Sequence, residues 1–181
     1  MVITLQQNKR YQVEWIKRFK RIQKQRESMW NELHSPDADP EWIVKRPTIH
    51  QWAIDEIIRH MLASEIRYIH QSFDPNIPQL NEAVPAQWVK NRFFRLEEKT
   101  HVKLKRLKEI ALSIESETVR NLDSSDKAYE KKTKAPWGEE MKVFELLEAF
   151  YAHEFYHQGQ VFFILTFFRG LPNVIKSQLE S

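Results

Sequence analysis

Apolar residues return every three or four positions along most of the chain. Tyr11, Trp15, Phe19, Ile22, Arg26, Met29 and Leu33 form one such stripe, which predicts an amphipathic helix from about Asn8 to Leu33. Its other faces carry Lys9, Arg10, Lys17, Arg18, Lys20, Arg21 and Lys24, interrupted by Glu14, Glu27 and Glu32. That mixture reads as a solvated face, not a surface for specific nucleic-acid binding. Ser35 to Pro40 is a loop by composition. Pro47-Thr48 opens a second helix with Thr48 as N-cap and Gln51 at the capping-box position, continuing to about Gln71. Trp52, Ala53, Ile57, His60 and Ser64 share one of its sides.

Pro75, Pro78 and Pro85 make the stretch from Phe73 to Pro85 extended. Such a linker reaches at most about 43 Å, and a helix of about 24 residues is about 36 Å long. The second and third helices can therefore run parallel. The third helix is expected from Ala86 to Leu112, with Val89, Phe93, Leu96, Leu104 and Leu107 inward. Ile114 to Ala135 is polar and charged, with a turn at Asp123-Ser124-Ser125-Asp126 and room for a short helix near Glu115–Asn121. Pro136-Trp137-Gly138 precedes a fourth helix from Glu139 to Arg169, capped by Gly170 with Pro172 beyond.

The fourth helix carries the chemistry. His153 and His157 are four residues apart, on the face shared by Leu146, Ala149, Phe150, Gln160 and Ile164. Residues so spaced have Cβ atoms roughly 5–6 Å apart, and two imidazoles can then approach one metal ion to about 2.0–2.1 Å each. A third ligand must come from elsewhere. His34, His50, His70 and His101 lie at helix ends or on a charged stretch, whereas His60 sits deep in the second helix among apolar neighbours. Pattern therefore favours His60. Glu154, Gln160 (one turn after His157) and Glu56 (one turn before His60) are candidates to act as base or to orient water or substrate.

Composition narrows the class. Only 3 of 181 residues are Gly, which leans towards an all-α fold in a single domain. With no Cys, disulfides, thiolate metal sites and a cysteine nucleophile are excluded. The N-terminal residues show no signal-peptide core, and the apolar run from Val161 to Phe168 is far short of the ~20 residues of a membrane span. A cytoplasmic protein without membrane partners is the expectation. The same run is apolar nearly all round, more than one helix face requires, so a homodimer is expected.

His153-Glu154-Phe155-Tyr156-His157 spells H-E-x-x-H, the pattern of zinc peptidases. Those enzymes take a third ligand from downstream, where this chain has no His or Asp and only Glu180 as a carboxylate. A second resemblance covers nearly the whole chain. Trp52 to Glu65, the Pro136-Trp137-Gly138 approach, His153-Glu154-Phe155-Tyr156-His157-Gln158-Gly159-Gln160 and the closing Arg169-Gly170-Leu171-Pro172 resemble the DinB-like superfamily of metal-dependent enzymes. The resemblance implies an up-down-down-up four-helix bundle with long second and third connections. It implies His60, His153 and His157 as ligands of a divalent ion, zinc or nickel, since imidazole suits both. It also implies a small-molecule substrate, with hydrolysis or thiol-dependent S-transfer as the reaction and a thiol as possible cosubstrate. In such a centre the ion lowers the pKa of a bound water towards ~7 or activates the thiol. A bundle that binds a metal or ligand without turnover is the alternative of a different class.

Overall fold

The structure is a computed structural model and describes residues 5–48, 51–73, 103–123 and 129–170. Among these, most are helical. Helix α1 runs Leu5–Leu33, and the short α2 runs Pro40–Val44. Helix α3, Ile54–Glu65, continues into a π-helical turn, Ile66–His70, and a last α-helical turn, α4, Gln71–Phe73. Helix α5 spans Leu104–Asp123 and α6 spans Val143–Gly170. Between them a small antiparallel hairpin pairs β1, Lys132–Lys134, with β2, Glu140–Lys142, in the register Lys132↔Lys142 and Lys134↔Glu140. No described helix is long and apolar enough to cross a membrane.

Several boundaries differ from the pattern reading, each for a local reason. Asp39 caps α2 by accepting from the Glu41 N–H, and Pro40 stands at the first helical position, where its missing N–H costs nothing. α3 begins after Ala53, not at Thr48, because Glu56 reaches back to accept the Ala53 N–H at 2.7 Å. Trp52 is thereby left in the extended connection. α5 does not stop at Leu112 but continues to Asp123, absorbing the short helix expected near Glu115. Glu115, Thr118 and Asn121 read as surface by type, yet all three are buried. The expected start of α6 at Glu139 is displaced to Val143 by β2, whose charged residues carry no alternating pattern. Gly138 makes the hairpin turn at φ +104°, a conformation side chains rarely adopt. The expected inner face at Val89, Phe93 and Leu96, the linker with Pro75 and Pro78, and Ser124 to Asp126 lie outside the described residues.

The four long helices pack on one another. Partners on α1 and α6 rise in number together: Arg18 with Glu148, Arg26 with Glu154, Glu32 with Arg169. Partners on α3 and α6 run in opposite order: Trp52 against His157, His60 against His153. Gln12 meets Asp123 and Gln23 meets Glu115, so α1 and α5 also run oppositely.

Two apolar cores result. One gathers Met29, Trp30, Leu33, Ile57, Met61, Leu107, Ile110, Val161 and Ile164. The other gathers Trp15, Phe19, Ile22, Ile69, Leu122, Val143, Leu147 and Phe150. Burying each such side chain stabilises by about 1.5–3 kcal/mol. Between the two cores lies a polar layer containing Arg26, Glu65, Glu115, Thr118 and Glu154, all buried. The histidines of α3 and α6 stand at the same level.

Candidate metal centre

His60 projects from the middle of α3, and His153 and His157 from successive turns of α6. Because α3 and α6 pack against each other, three ring nitrogens converge. His60 Nε2 lies 2.9 Å from His153 Nε2, and His157 Nε2 lies 3.2 Å from His153 Nε2. One coordinating atom from each ring falls within 4.8 Å of those of the others. Two nitrogens about 2.0–2.1 Å from a common ion, about 90–110° apart, would be about 2.9–3.4 Å from each other. The observed separations fit that range.

Hydrogen bonding among the rings alone does not account for the cluster. A neutral ring nitrogen offers either one in-plane lone pair or one proton. His153 Nε2 has two nitrogen neighbours at hydrogen-bond distance, so it can pair with only one of them. A shared cation would satisfy all three lone pairs at once. Gln160 supports this arrangement: its Oε1 lies 2.7 Å from His157 Nδ1, and its amide N–H donates to the Tyr156 hydroxyl at 3.1 Å. With the proton held on Nδ1, His157 presents a free lone pair at Nε2.

The rings are also held neutral, the form that binds metal. Burial pushes His60 down to about 3, with further lowering from His157 and His153. Burial likewise pushes His153 down to about 4 and lowers His157. Trp52 stacks on His157 at 6.2 Å between centroids and meets His60 edge-on at 4.9 Å. Tyr68, carried by the π-helical turn, lies 5.6 Å from His153. Spacing sets Trp52 on the same side as His60, whereas Tyr68 does not stand out as part of the site by sequence spacing.

The other expected residues fall in different places. Glu154 is fully buried and bound by Arg26, whose Nε donates to its Oε1 at 2.6 Å, and by the Gln158 amide at 2.9 Å. Burial opposes the Glu154 charge, but Arg26 and Gln158 more than offset it and hold the carboxyl below its usual range. Glu56 caps α3 and pairs with Arg46, Nε to Oε2 at 2.9 Å. Neither carboxylate joins the three-nitrogen group. Of the remaining histidines, His34 Nδ1 lies 2.7 Å from the Trp30 carbonyl, and His70 is fully buried with Nε2 2.7 Å from the Thr118 hydroxyl. His50 and His101 lie outside the described residues.

Arg26 is the feature that pattern reading passed over. It sits in the inward stripe of α1, 2% exposed, and donates to Glu65 at 2.6 Å and Glu115 at 3.1 Å as well as to Glu154. One guanidinium thus joins carboxylates from α3, α5 and α6. Burial works against its charge, but Glu154, Glu65 and Glu115 hold it protonated. Glu65 accepts from the Thr118 hydroxyl, and burial still lifts its carboxyl to about 7. A charged residue in an otherwise apolar stripe was the available signal.

These shifts set the pH dependence of the metal-free protein. His60, His153 and His70 (pushed by burial to about 4) refuse protons that the unfolded chain accepts near pH 6.5. Their depressed values therefore remove stability as pH falls from about 6.5 towards 4. Glu65 acts in the opposite sense: its raised value contributes stability below about pH 4.5 that is lost as pH rises through 7. Three groups outweigh one. The unfolding free energy from denaturant titration should fall between pH 7 and pH 4.5 by a net few kcal/mol, at ~1.4 kcal/mol per pKa unit. A flat or rising profile would contradict the burial of the three rings.

No protein-family model matches the chain, and the comparisons with curated proteins and with solved structures found no match.

Proposed function

We propose that this chain is a DinB-like, up-down-down-up four-helix bundle that holds one zinc or nickel ion on His60, His153 and His157 and acts on a small molecule. The single observation that carries the proposal is His153 Nε2, which has two ring-nitrogen neighbours and can hydrogen-bond only one. The order of helix partners supports the topology: α1 runs with α6, and both α3 and α5 run against them. A bound divalent ion would supply Lewis acidity at the mouth of the cluster, the basis of either hydrolysis or thiol activation.

The chain's own residues have distinct tasks in this reading. His60, His153 and His157 provide neutral donors. Gln160 fixes the His157 tautomer and so is a positioning residue. Trp52 covers two of the rings and keeps bulk water from them. Glu154, engaged with Arg26 and Gln158, holds α6 in place. The peptidase alternative needs Glu154 free to take a proton from water at the ion, and its engagement with Arg26 weighs against that reading.

Protein loaded with zinc or nickel should turn over activated esters, or conjugate a small thiol to an electrophile such as 1-chloro-2,4-dinitrobenzene. Chelation should abolish the activity and added metal should restore it. Metal uptake at one equivalent without turnover in either assay would favour the non-catalytic binding bundle. Replacing Gln160 by Ala should weaken metal binding by about 10–100-fold while leaving the fold intact, because an outer hydrogen-bond acceptor is lost. Competition with a calibrated chelator measures it, and an unchanged affinity would remove Gln160 from the site.

A further inference from the structure

A groove opens directly beside His157. Its volume is about 550 Å³, within the range of small-molecule sites, and its wall is made by Trp52, Tyr156, Gly159, Gln160 and Phe163 together with His157. Tyr156 and Phe163 are 63% and 60% exposed, although both are large aromatics. Seven residues apart, they share one stripe of α6 with Gly159 and Gln160 between them. No Lys, Arg, Asp or Glu lines the groove among the described residues.

Gly159 supplies an independent observation. It lies in the interior of α6, where glycine is much less favourable than alanine. Elsewhere a helical glycine admits a neighbour too close for a side chain, but a Cβ built at Gly159 meets nothing within 4 Å among the described residues. Its conformation is ordinary too, since the glycines with positive φ are Gly138 and Gly170. Among the described residues, neither helix contacts nor backbone geometry calls for glycine here. What its missing side chain does is leave the floor of the groove open between Tyr156 and Phe163.

We propose that this groove receives an uncharged aromatic small molecule, seated on the bare backbone at Gly159 between Tyr156, Phe163 and Trp52 and facing His157. The proposal rests on the reading of the three histidines as the reactive centre and names the substrate class for it. Three aromatic side chains offer ring faces and edges to a flat partner. An ionised substrate would lose hydration there without a countercharge. Thiols or esters with a charged body are therefore poor substrates, and neutral aryl ones good.

The test uses p-cresol as a neutral probe, with 4-hydroxybenzoate and tyramine as its anionic and cationic counterparts. Each is titrated into metal-free protein by calorimetry, so that a carboxylate or amine cannot bind the ion. Zinc stoichiometry is measured on the same preparations. p-Cresol should bind at least about tenfold more tightly than either charged probe. Gly159→Leu, which fills the floor with a good helix former, should weaken p-cresol binding at least about tenfold while still taking one equivalent of zinc. Gly159→Ala should raise the thermal midpoint by about 2–4 °C. Equal binding of all three probes, or a Gly159→Leu variant that binds p-cresol as the parent does, would overturn the proposal and leave the metal site standing. If wild type sediments as a dimer that Gly159→Leu converts to monomer, the groove belongs to a second copy of the chain and the proposal fails. Selective p-cresol binding in a protein that takes up no zinc would sustain the groove and defeat the metal centre instead.

Discussion

Alanine at His60, His153 or His157 should each yield folded protein that leaves gel filtration with little or no bound zinc, where the parent carries one equivalent. The three Nε2 atoms form one donor set, with separations of 2.9 and 3.2 Å. Removing one leaves two donors, and the loss should exceed the ~10–100-fold that follows loss of an outer partner. Folding should survive because the site lies between two apolar cores that remain intact. Two controls sharpen the result. His70→Ala should retain zinc, though at reduced stability, since it removes a buried bond to Thr118. His101→Ala, outside the described residues, should also retain it. Elemental analysis decides: a His60→Ala protein with a full equivalent, beside a His153→Ala protein with none, would place the third ligand elsewhere.

The largest effect on stability should come from Arg26. Arg26→Met keeps the length of the side chain but leaves Glu65, Glu115 and Glu154 buried without their shared cation. Breaking a buried pair in this way costs about 3–5 kcal/mol. Arg26→Lys should rescue only part, since one ammonium cannot reproduce a planar fork that meets three carboxylates. The cost has a pH signature that a packing defect lacks. Without Arg26 the Glu65 and Glu154 carboxyls should titrate at higher pH, so the variant should recover stability relative to the parent as pH falls from 8 towards 5. Urea unfolding at both pH values measures it. A constant penalty would mean that Arg26 contributes by filling space and not by charge.

Much of the helical framework was legible along the chain because amphipathic helices advertise their buried side every three or four residues. The stripe from Trp15 to Leu33 does face the cores, as do Ile57 and Met61 of α3 and Leu146, Phe150 and Ile164 of α6, whereas Tyr156 and Phe163 of α6 do not. Helix ends were less legible, since they depend on single hydrogen bonds. Glu56 starts α3 five residues after the pattern would have it, and three-residue strands of Lys, Glu and Thr have too little periodicity to show. The pairing of His153 with His157 followed from their spacing alone, since one helix turn links them.

Only the tertiary structure decided the rest. Sequence can mark His60 as an inward residue, but its 2.9 Å approach to His153 depends on how α3 and α6 lie together. Glu115 and Glu154 look like surface residues by type and became interior because Arg26, on another helix, sits where they can meet it, while Thr118 became interior against Glu65 and His70. The groove at Gly159 is likewise a property of assembly: it needs Trp52 from the approach to α3 set against the outer stripe of α6. Periodicity records which side of a helix is buried, because burial is a property of each residue. It does not record which buried polar group meets which, because that depends on register between segments far apart in the chain.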